Sequence, residues 1–105
     1  MNILFTDCWV GWYQGEGSYE GGTCPDCLIT NVPEEVDTSE LFSIYLMGLC
    51  GVNEHDKIEY KTKVVKRTSK KRIPVKITSL DELYECTEEF IEIDFDDLVD
   101  WVEEY

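Results

Sequence analysis

Residues 57–76 read Lys57-Ile-Glu-Tyr-Lys-Thr-Lys-Val-Val-Lys-Arg-Thr-Ser-Lys-Lys-Arg-Ile-Pro-Val-Lys76. The run alternates. Ile58, Tyr60, Thr62 and Val64 fall on one side, and Lys57, Glu59, Lys61 and Lys63 on the other. After a polar stretch at 67–70 the alternation resumes, with Ile73, Val75 and Ile77 opposed to Arg72, Pro74 and Lys76. Successive side chains of a strand point to opposite faces, so a period of two across a turn predicts a hairpin with one face on a core. Pro74 donates no ladder hydrogen bond, which places the second strand at a sheet edge.

The segments on either side extend this reading. Asn2 to Val10 is strand-like and leads into a glycine-rich loop over 11–23. Leu28 to Val32 predicts a short strand ended by Pro33. Asp37, with Glu40 three residues on, predicts the start of a helix with an apolar stripe at Leu41, Phe42, Tyr45, Leu46 and Leu49. Ser79-Leu-Asp-Glu82 is a capping box and starts a second helix. Phe90 to Phe95 has strand alternation, while Asp94 also suits the cap of a last helix carrying Phe95, Leu98, Val99 and Val102. The expected fold class is α+β: a small single domain over residues 1–105, with a mainly antiparallel sheet and two to three helices. Its expected parts are the glycine-rich loop 11–23, the basic hairpin 57–77 and the acidic segment 79–105.

Charge is distributed very unevenly. The chain has 105 residues and a formal net charge of -14. All nine Lys and Arg lie within residues 57–76, and residues 77–105 hold twelve of the 23 acids with no base. Self-repulsion of this size opposes compactness, so a compensating role is expected. Direct binding of nucleic acid would need a basic surface, which leaves only the hairpin for it, through Lys66, Arg67, Lys70 and Lys71. Alternatively, the hairpin's basic face serves as an internal counterweight beside the acidic helices, or blunts an edge strand. No apolar run is long enough for a membrane span. The start of the chain has no basic, signal-like region, so a cytoplasmic protein is expected.

Five cysteines without a signal-like start argue against a disulfide framework. Cys24-Pro-Asp-Cys27 supplies two of the four ligands that a structural zinc requires, with Cys8, Cys50 and His55 as candidates for the others. The same motif resembles the redox site of thioredoxins and glutaredoxins. That site stands at a helix N-terminus, and no helical pattern begins at Cys27. Thiols without a cofactor are the expectation, with zinc as the alternative. No phosphate-binding loop, dinucleotide fingerprint or nucleophile elbow is present, so no enzyme is expected.

The C-terminal acids carry the functional signal. Asp96, Asp100, Glu103 and Glu104 recur at helical spacing on the side away from the apolar stripe, with Asp97 beside them. Four residues of helix rise about 6 Å, near the spacing of phosphates along a nucleic-acid strand. Asp81, Glu82, Glu85, Glu88, Glu89, Glu92 and Asp94 precede them. In size, charge and this acidic quarter the chain resembles the small anti-defence proteins of phages and mobile elements, the DNA-mimic anti-restriction and anti-CRISPR proteins. The resemblance implies a stoichiometric inhibitor acting in the bacterial cytoplasm. Its partner would be a bacterial nuclease or another DNA- or RNA-binding protein, met through carboxylates in place of phosphates. The alternative is a small zinc- or thiol-containing interaction module with no inhibitory role.

Overall fold

The computed structural model describes residues 1–42, 49, 51–52, 54–66 and 72–104, without the side chain of Glu104. It is organised around one long strand, β1 (Asn2–Gly15). One edge of β1 is shared by two strands that both run antiparallel to it. β3 (Asp26–Thr30) lies beside residues 3–5, and β2 (Ser18–Thr23) beside residues 9–15. β4 (Lys57–Val65) runs antiparallel along the other edge. Beyond β3 lie β6 (Phe90–Asp94) and then β5 (Val75–Lys76), each parallel to its neighbour. Among the described residues the result is one mixed six-stranded sheet with three helices: α1 (Thr38–Glu40), α2 (Leu80–Glu85) and α3 (Phe95–Glu104).

A bulge in β1 decides which side chains face the core. Ile3 and Phe5 are buried, and so are Cys8 and Val10, so the inward phase passes from odd to even positions. The extra residue sits between Thr6 and Trp9, where the register with β4 slips by one. Asp7 absorbs it at φ +52, a left-handed conformation that Asp tolerates better than bulkier residues do. Without that insertion Cys8 and Val10 would point outward.

One face of the sheet carries the core. Ile3, Phe5, Cys27, Ile29, Ile91 and Ile93 meet Leu41, Phe42, Phe95, Leu98 and Trp101 there. Phe5 stacks on Phe42 at 4.6 Å, and Tyr60 closes the group at 4.1 Å from Phe42. Trp101 completes the apolar stripe of α3 and extends the stripe read from the sequence. Asp94 serves both predicted roles. It ends β6, and its Oδ1 accepts from the Asp96 N–H at 3.0 Å. Ser79 caps α2, its Oγ accepting from the Glu82 N–H at 3.2 Å, while Glu82 returns to the Thr78 N–H at 3.0 Å. Asp37 caps α1 through the N–H groups of Ser39 and Glu40. Tyr45 and Leu46, predicted on that helix, lie outside the described residues.

Two expectations are corrected. The basic segment is not a hairpin: β4 pairs with β1, and β5 pairs in parallel with β6. Alternation settles which face a side chain takes but leaves the neighbouring strand open. Ile58 and Tyr60 pack against the core as expected, yet Val64 is 59% exposed and Ile73 84%. The glycine-rich stretch 11–23 is not a loop. It is the β1–β2 hairpin, turned at Glu16 and Gly17, whose φ values of +54 and +78 suit the tight two-residue turns that follow strand twist.

Candidate partner-binding surface

The structure divides the predicted acids among three places. The first is α3. Asp96, Asp100 and Glu103 are exposed on it, and Asp97 is half-buried. Asp96 and Asp97 occupy the first turn, where unsatisfied backbone N–H groups favour negative charge. Glu103 lies in the last turn, where the helix dipole disfavours it and which holds no base, and Asp100 sits mid-helix. Among the described residues no cation stands within ion-pair distance of any of these four.

The second place is α2 and the segment after it. Asp81, Glu85, Glu88 and Glu89 are exposed there. Glu82 is occupied by its bonds to Thr78. Glu88 and Glu89 line a shallow cleft of about 470 Å³ with Thr23, Cys24, Asp26, Arg72 and Cys86. Arg72 lies across this cleft. Its guanidinium meets the Asp26 carboxylate at 2.7 Å and lies 4.5 Å from the centre of the Phe90 ring.

The third place is the sheet face opposite the core. Glu92 and Asp94 alternate with the inward Ile91 and Ile93, so Glu92 points away from the helices, while Asp94, at the end of the strand, also reaches the first turn of α3. The registers set Lys63, Leu4, Leu28, Glu92 and Lys76 in one row across five strands. Asp94 is engaged by the Asn31 amide at 2.6 Å. The C-terminal acids therefore do not form one continuous strip. The strip read from the sequence belongs to α3, and Glu104 lies on that helix with its side chain outside the description.

The basic residues act partly as counterweights, but to acids of the N-terminal half. Lys61 pairs with Asp7 at 3.4 Å, Arg72 with Asp26, and the Lys57 ammonium sits 4.2 Å over the Tyr19 ring. β4 and β5 stand at opposite margins of the sheet, so Lys63 and Lys76 are about 19 Å apart at the usual strand spacing. Of the predicted second contact surface, Lys66 is exposed, while Arg67, Lys70 and Lys71 lie outside the described residues.

Two of the cysteines lie in strands, Cys8 in β1 and Cys27 in β3. Cys8, Cys24, Cys27 and Cys86 are thiols rather than disulfides, and Cys50 lies outside the described residues. The Cys24-to-Cys27 motif runs into β3, not into a helix. Cys27 faces the core, and Cys24 lies across from Cys8 with its N–H donating to the Cys8 carbonyl at 3.0 Å. Burial pushes the Cys8 thiol up to about 12, aided by the charges of Cys24, Asp26 and Asp7. Burial also raises the Cys24 thiol. Among the described residues no three His, Cys, Asp or Glu side chains are grouped to hold a metal ion. Also among them, no helix is long and apolar enough to cross a membrane. Comparison with protein-family models, with curated proteins and with solved structures finds no match to this chain.

Proposed function

We propose that this protein is a stoichiometric inhibitor of a bacterial nucleic-acid-binding defence enzyme. On this reading it acts in the host cytoplasm and catalyses no reaction. The acidic face of α3 enters a groove lined with Lys and Arg and displaces the nucleic acid held there. One observation carries the reading: Asp96, Asp97, Asp100 and Glu103 have no cationic partner among the described residues, and Glu103 stands in the last turn, where helix electrostatics work against it.

The geometry supplies a clean test. Asp100→Lys with Glu103→Lys reverses two exposed charges of α3 and places one cation in its last turn, where the dipole favours it. The double variant should melt no lower than the parent. In pull-downs from bacterial lysate, the parent should capture a DNA- or RNA-processing enzyme that salt releases and added duplex DNA displaces. The variant should lose that capture. A partner retained by the double variant, or one that DNA does not displace, would refute the α3 reading.

A further inference from the structure

The β1–β2 hairpin extends past the core, and two of its rings are exposed. Trp12 is 39% exposed and Tyr13 44%, and neither belongs to the core cluster. The register sets Trp12 directly across from Glu20, with the edge of the indole beside Gly22. Tyr13 pairs with Tyr19 on the opposite face, their rings 5.4 Å apart. Residues 12–23 contain Glu16 and Glu20 and no base. The hairpin already receives one cation from its own chain, because Lys57 sits on the Tyr19 ring.

We propose that this hairpin is a docking arm for arginine side chains of a basic partner protein. A guanidinium lies flat on the Trp12 indole and directs its N–H fork to the Glu20 carboxylate. Arginine fits because it is planar, stacks on aromatic faces and pairs with a carboxylate through two parallel hydrogen bonds. A lysine ammonium makes the same approach as a point charge, without the fork. Phosphate-bearing partners are disfavoured, since the hairpin carries only negative charge. The inference shares with the proposed function a basic partner and nothing else, because α3 takes no part in it.

The test is a titration of the full chain with a nine-residue arginine peptide and a lysine peptide of equal length, followed by amide and indole NMR signals. The arginine peptide should shift the Trp12 indole and the Glu20 amide at several-fold lower concentration than the lysine peptide. Trp12→Ala should weaken that interaction about two- to five-fold, with Glu20→Gln adding to the loss and the melting temperature unchanged. Shifts that track charge alone, equal for both peptides, would overturn the proposal, as would an unchanged affinity in Trp12→Ala. The Asp100→Lys, Glu103→Lys variant separates the two readings. It should retain the hairpin shifts even where it no longer captures an enzyme.

Discussion

Trp9 dictates two of the glycines. Its indole lies across the outer face of the sheet over Gly11 and Gly21, which are partners in the β1–β2 ladder, and a Cβ at either would collide with the ring. Gly21→Ala should therefore cost about 1–3 kcal/mol, the usual range for overpacking. The measurement is a double-mutant cycle by urea unfolding. Trp9→Leu should remove most of the alanine's cost, because the two changes share one space. Cys8 makes a prediction about pH. An unfolded thiol ionises near 9, and the folded one holds its proton until about 12. Between those values the folded state binds more protons, so stability falls as pH rises, by up to about 1.4 kcal/mol per pH unit from this group. Unfolding curves from pH 8 to 11 should show that slope in the parent, and a shallower one in Cys8→Ala.

At the scale of elements, caps and strands differ in how much they depend on the rest of the chain. The capping box of α2 is local. Ser79 and Glu82 each satisfy a backbone N–H within four residues. Ser79→Ala should cost about 1 kcal/mol, and Ser79→Asp should recover it. Both are measurable as shifts in the urea midpoint at constant slope. The basic strands show the opposite dependence. Their alternation is clear, but β4 has joined β1 and β5 has joined β6. Arg72 helps to place the chain before β5, bridging to Asp26 and lying against Phe90. That contact spans 46 residues and has no local signature.

Across the whole molecule, a net charge of -14 sets the electrostatics. Self-repulsion of that size is screened by salt. Raising sodium chloride from about 0.05 M to about 0.5 M should increase the melting temperature by several degrees. The same change should weaken any partner held by the acidic face of α3, so stability and binding should move in opposite directions. The sequence by itself determined the α+β class, the caps at Asp37, Ser79 and Asp94, the inward residues of β6, and the acidic stripe of α3. Each of these depends on side chains within a few positions of one another, where period and capping chemistry act directly. Only the tertiary structure decided that β4 and β5 are separate strands with different partners. It also decided that the glycine-rich stretch is a projecting hairpin, that Glu92 faces away from the helices and that Cys24 lies across from Cys8. Strand partners, register and the far side of a sheet are set by contacts between distant segments. A period of two is the same whichever neighbour a strand finds.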